Sequence, residues 1–213
     1  MMNEAWMIGP LLVQQAWLYV IAAFAAGFLY LHWVSPVDDK TVREEVFSLF
    51  LYALLVLFFG SILTQWNVTM ADPLAAAVYP PGTGEIMLAV GVFVVLVFNF
   101  QGNTALLLQG TSYVLFVSTA VYAFLAPPAG IQTAGFTHPA GLYIMAVSLF
   151  FLVLLHTYKQ GAAFLVLWGL SMAAAHQATV VTTFFLTPAA DYVYVVISAG
   201  ALAGYWQQRR KAT

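Results

Sequence analysis

The chain has 213 residues, of which 63% are hydrophobic and only 7% charged, with a formal net charge of −2. Soluble domains carry about 25% charged residues, and so few charged side chains cannot cover a water-facing surface of this size. The composition reads as a polytopic membrane protein, excludes a basic nucleic-acid-binding surface, and, with no cysteine, excludes disulfides, thiolate catalysis and cysteine-ligated clusters.

Seven apolar runs follow one another, at roughly 8–32, 45–66, 84–100, 104–125, 139–157, 161–187 and 189–206. Several reach the roughly 20 residues that a helix needs to cross hydrocarbon, while run seven is short and opens near Asp191. The start, Met1-Met2-Asn3-Glu4, lacks a basic region and a small-residue cleavage site, so the first run is expected to be a retained span. Between runs one and two, residues 34–45 form the charge-dense stretch, where Asp38 or Asp39 is expected to cap the second helix. Gln101-Gly102-Asn103 predicts a tight turn between runs three and four, and Thr187-Pro188 a break between runs six and seven. The segments 67–83 and 126–138 are longer than minimal connections and are candidates for a rim or lid. No linker or repeat divides residues 1–213, which read as a single all-α domain, a bundle of seven transmembrane helices.

The basic residues test that count. Lys40 and Arg43 follow run one, Lys159 follows run five, and Arg209, Arg210 and Lys211 follow run seven. With seven spans all six fall on one side, which the positive-inside rule makes the cytoplasm. The N-terminus is then outside and the C-terminus inside.

Polar groups within the spans mark the candidate sites, because lipid penalises them. His176, Thr179 and Thr183 are spaced i, i+3, i+7 in run six and are expected to share a face. That face is either a polar cavity lining that binds a lipid head group or interhelical hydrogen-bonded glue. Gln177 and Thr182 lie off it. His138 precedes Pro139, which biases it to extended backbone at the mouth of the helix whose first turn Pro139 suits. Glu85, at the outer start of run three, is the acidic residue nearest the bilayer interior. It reads either as a base or ion-pair partner, or as a carboxylate at the positive end of a helix. His32 and His156 fall at the cytoplasmic ends of runs one and five, and no histidine pair has the matched depth that haem ligation requires. Phosphate-binding and dinucleotide-binding loops and nucleophile elbows are absent from the sequence. No metal or other cofactor is expected.

Several of these stretches resemble prolipoprotein diacylglyceryl transferases, bacterial membrane enzymes that move diacylglyceryl from phosphatidylglycerol to a lipobox cysteine. Ile8-Gly9-Pro10 resembles the family's start, and Glu44-Glu45-Val46 with Leu51-Tyr52-Ala53 the opening of its second helix. His138-Pro139 with Leu142-Tyr143 is similar to its His-Pro-x-Gln-Leu-Tyr-Glu motif, and Phe184-Phe185 before Pro188 to the approach to its last span. The resemblance implies a seven-helix fold in a bacterial cytoplasmic membrane, a phospholipid ligand, and His138, Tyr143 and Glu85 as candidate catalytic residues. The chain departs from the family at its charges. Gly84-Glu85-Ile86-Met87-Leu88 stands where the family carries His-Gly-Gly, Gly141 and Ile144 replace the motif's Gln and Glu, residues 110–137 hold no arginine, and Thr179 falls near an essential arginine. Loss of glycerol phosphate from the phosphodiester needs positive charge on the leaving group, which arginine supplies with a bidentate fork. The reading that follows is a lipid-binding or accessory relative without catalysis, with phospholipid and other membrane proteins as partners and no nucleic acid. Two alternatives stay open: an active lipid or lipoprotein diacylglyceryl or acyl transferase using His138 or His176 as base, and a small-solute transporter or channel lined by run six.

Overall fold

A computed structural model of the chain describes residues 5–8, 11–64, 66–71, 83–126, 130–133, 136–179, 183–184, 187–188 and 192–212. The order is β1 (Ala5–Ile8), β2 (Leu11–Gln14), α1 (Gln15–Trp33), α2 (Lys40–Phe59), α3 (Ser61–Thr64), α4 (Trp66–Ala71), α5 (Thr83–Asn99), α6 (Thr104–Leu125), β3 (Gly130–Thr133), β4 (Phe136–Pro139), α7 (Ala140–Tyr158), α8 (Gly161–Thr179), β5 (Thr183–Phe184), β6 (Thr187–Pro188) and α9 (Tyr192–Ala212). The architecture is helical. Among the described residues seven helices have 17 residues or more, one for each apolar run, and the β structure is confined to three antiparallel two-stranded hairpins. Two helices, Thr104–Leu125 and Gly141–Tyr158, are long and apolar enough by themselves to cross a membrane.

Several boundaries differ from those expected. The first helix starts at Gln15, not at residue 8, because the residues flanking Gly9-Pro10 pair as a hairpin with Ile8 opposite Leu11. Proline removes a donor that a helix interior needs. The second helix starts earlier than expected, where Asp39 accepts from the backbone N–H groups of Thr41 and Val42 at 2.9 and 3.3 Å. It stops at Phe59, before Gly60, and two short helices follow where run two and the outer segment meet. Along run six, α8 is described as far as Thr179, and Thr183 lies in β5. Lys159 ends α7 with φ 56°, a left-handed conformation that breaks the helix before α8 begins two residues later.

The helices interlock through rings and through glycine–hydroxyl crossings, and the register shows their directions. Phe24 meets Phe50 and Phe28 meets Phe47, at 5.5 and 5.2 Å between ring centroids, so α1 and α2 are antiparallel. Tyr113 meets His156 and Phe116 meets Phe151, at 6.5 and 6.1 Å, making α6 and α7 antiparallel. Tyr158 with Phe164 and Ser148 with Trp168 do the same for α7 with α8, and Val166 with Ser198 and Trp168 with Tyr194 for α8 with α9. On α2 and α5, Phe50 faces Phe93 and Gly60 faces Glu85. Helices two apart in order run parallel: Ser112 and Phe116 of α6 meet Gly161 and Trp168 of α8.

Consecutive long helices therefore alternate in direction. One end of the bundle receives the three hairpins and the α3–α4 segment. The other receives the short connections 34–39, 100–103 and 159–160 together with the C-terminus, and with them all six basic residues. At the centre stands α6, with Thr104 and every residue from Leu107 to Ala120 buried. Around it lie α1, α2, α7, α8 and α9, while α5 packs between α2 and α9 and extends the core through Ile86, Val90 and Val193.

Candidate functional site

The hairpin end holds the residues singled out in the sequence. Glu85 lies in the first turn of α5, and its side chain is 3% exposed. It is turned inward because α5 packs on the break in α2: a Cβ placed on Gly60 would strike the Val56 carbonyl and lie 3.3 Å from the Glu85 Cγ, a close approach that the missing side chain eases. Thr64, on the one-turn helix α3, brings its hydroxyl to a Glu85 carboxyl oxygen, and the same hydroxyl lies 3.3 Å from the Gly60 carbonyl. A helix N-terminus stabilises a carboxylate by about 0.3–1 kcal/mol, up to about 2. Removing that charge from water costs several kcal/mol.

Tyr143 lies in the first turn of α7 and is 45% exposed. His138 lies in β4 opposite Ile131, and Pro139 opposite Gly130. The extended backbone expected for His138 is found. Pro139 ends the strand rather than opening the helix, which begins at Ala140. The side chain of His138 is outside the described residues. The candidates sit on helices with different neighbours, Glu85 toward α2, α3 and α9, and Tyr143 on α7, which packs on α6 and α8.

The shared face expected for His176, Thr179 and Thr183 is not formed as one helical stripe. His176 and Thr179 belong to the end of α8, but Thr183 lies beyond it in β5, opposite Pro188. The side chains of all three are outside the described residues. His32 and His156 are exposed in the last turns of α1 and α7, at the end that carries the basic residues. Among the described residues no three histidines or carboxylates gather in a way that could hold a metal ion.

The buried polar groups that the structure adds are on α6 and its neighbours. Gln109, Thr111, Ser112, Ser118 and Thr119 are all buried on the central helix. Ser112 Oγ lies 2.7 Å from the Leu108 carbonyl and 3.1 Å from that of Gly161, tying α6 to the start of α8. Trp168, fully buried, donates its indole N–H to Ser148 at 3.2 Å. Ser198 bridges the carbonyls of Val166 and Tyr194 at 3.1 and 2.9 Å. The sequence signal was present, a Gln109-Gly110-Thr111-Ser112 cluster and a Ser118-Thr119 pair inside an apolar run. The Ser112 and Ser198 hydroxyls act as interhelical fasteners, a function that hydroxylated residues serve in packed helix bundles, whereas the buried hydroxyls of Thr111, Ser118 and Thr119 have no hydrogen-bond partner among the described residues. Compared as a whole, the chain matches no protein-family model, no curated protein and no solved structure.

Proposed function

We propose that the protein is a seven-span integral membrane protein of a bacterial cytoplasmic membrane, with its N-terminus outside. On this reading it is a non-catalytic relative of the prolipoprotein diacylglyceryl transferases that binds phospholipid at its hairpin end and serves as an accessory subunit. The observation that carries the membrane reading is helix Gly141–Tyr158, whose apolar window is only 17% buried. Water would penalise such a surface along its whole length, whereas acyl chains match it. The separation of charges supports the absence of catalysis. His138, Tyr143 and Glu85 belong to the end that receives the hairpins, and the six basic residues belong to the other. A phosphodiester at the hairpin end would have no arginine or lysine to take up the charge of its leaving group.

Reconstitution in phosphatidylglycerol vesicles with a lipobox peptide tests this reading. We expect no peptide lipidation above background, together with phospholipid retained through purification and detected by native mass spectrometry. Lipidated peptide that disappears on His138→Ala would replace the accessory reading by the enzymatic one.

A further inference from the structure

We infer that the end of α9 binds an anionic phospholipid of the leaflet opposite the hairpins, with acyl chains along the exposed face of the helix and the phosphodiester at Arg209 and Arg210. This rests on the membrane-spanning reading proposed above, and it adds a site at the other end of the bundle. Helical register brings the parts together. Val195, Ala199, Leu202 and Trp206 of α9 are exposed, and their spacing of i, i+4, i+7, i+11 makes one stripe. At 3.6 residues per turn the stripe continues into Arg209 and Arg210, three and four residues past Trp206, while Lys211 falls off it.

Neighbouring helices fix the depth. A Cβ on Gly200 would meet Val94, and one on Gly204 would lie 3.8 Å from Val97 and 3.4 Å from Leu108, so α9 runs parallel to α5. Helix α5 ends at Asn99, two residues past Val97. By that register Trp206 lies level with the end of α5, and the two arginine positions lie about one turn beyond it, roughly 5 Å along the axis. An apolar face, then a tryptophan, then two arginines match the acyl chain, interface and phosphate of a lipid in that order.

Charge is divided within this end of the bundle. On the α2 side Lys40 lies 3.6 Å from Glu44 and Arg43 lies 3.4 Å from Asp38, so those cations already face carboxylates. From Ile86 onward the sequence holds four basic residues, Lys159, Arg209, Arg210 and Lys211, and one acidic residue, Asp191, which precedes α9 and is outside the described residues. Lys159, exposed just before α8, pairs with no carboxylate among the described residues, and α8 packs on α9. The α8–α9 side is thus complementary to an anion. Phosphate oxygens are the anion that a bilayer carries at this depth, and guanidinium groups bind them bidentately. An acidic protein segment would match the charge but not the apolar stripe that leads to it.

Vesicles of phosphatidylglycerol and phosphatidylcholine in equal parts test this. The full chain is reconstituted, washed at alkaline pH to confirm insertion and extracted into detergent, and its bound lipid is read by native mass spectrometry. We expect phosphatidylglycerol to be retained over phosphatidylcholine, with the preference shrinking as salt rises. A basic residue near an anionic surface is worth about fivefold in affinity. Arg209→Gln and Arg210→Gln should each lower the preference by about that factor, and the pair by about 25-fold. Lys40→Gln, an equal loss of charge on the α2 side, should leave it in place. Equal retention of the two lipids by the inserted wild-type chain would overturn the inference and leave an acidic protein segment as the partner of the arginines. So would a preference that survives loss of both arginines, or one that Lys40→Gln lowers as much as Arg209→Gln does. A chain that the alkaline wash strips from the vesicles would overturn the membrane reading as well.

Discussion

Glycines show at the scale of one residue how much this fold depends on close approach. A Cβ on Gly169 would collide with Ser198 Oγ and lie 2.9 Å from the Tyr194 carbonyl. One on Gly161 would strike the Gln109 backbone, which cannot move aside as a flexible side chain would. Overpacking of this kind costs about 1–3 kcal/mol, against which alanine's helix preference over glycine recovers at most about 1 kcal/mol. Gly91, in the middle of α5, meets nothing within 4 Å. Thermal unfolding in detergent should then separate the three variants. Gly169→Ala and Gly161→Ala should lower the midpoint, with Gly161→Ala the more damaging, while Gly91→Ala should raise it by the equivalent of about 0.5–1 kcal/mol. Equal effects at all three positions would mean that helix propensity, and not interhelical approach, governs these sites.

Among the elements, α2 has the plainest start signal. Asp39 accepts from two backbone N–H groups that no helical carbonyl can reach, and Arg43 holds the approach by donating from Nε to the Val37 carbonyl at 2.6 Å. Asp39→Ala should cost about 1 kcal/mol, within a range of about 0.5–2, and Asp39→Asn should recover most of it. Slower amide exchange at Thr41 and Val42 in the wild-type chain than in the alanine variant would locate the effect at the cap. The hairpins are the elements that the apolar runs concealed. A membrane-spanning helix and a strand that pairs beside it are both built from apolar residues, so composition alone does not separate residues 11–14 from the helix that follows them.

For the whole molecule, alternation of the seven long helices is the property on which the functional reading depends. The two faces can be tested with single cysteines, since the chain has none of its own. An impermeant maleimide added to intact spheroplasts should label Asp72→Cys, and it should label Lys159→Cys only after lysis. Labelling of both from one face would break the seven-span arrangement and the positive-inside assignment with it.

Patterns that act locally were legible in the sequence. These are the number and order of the long helices, the cap at Asp39, the tight turn at 101–103, the extended backbone before Pro139, and the collection of basic residues at alternate connections. Each depends on chain-local chemistry, and none needs knowledge of neighbours. The tertiary structure alone decided which helix lies at the centre. Thr104–Leu125 and Gly141–Tyr158 both pass as membrane-length apolar helices, yet 78% of one apolar window and 17% of the other are buried. Acyl chains are as apolar as leucine, so a lipid-facing helix needs no polar side and an enclosed helix looks much like it in sequence. For the same reason the burial of Glu85 beside Gly60 follows only once the helices have packed.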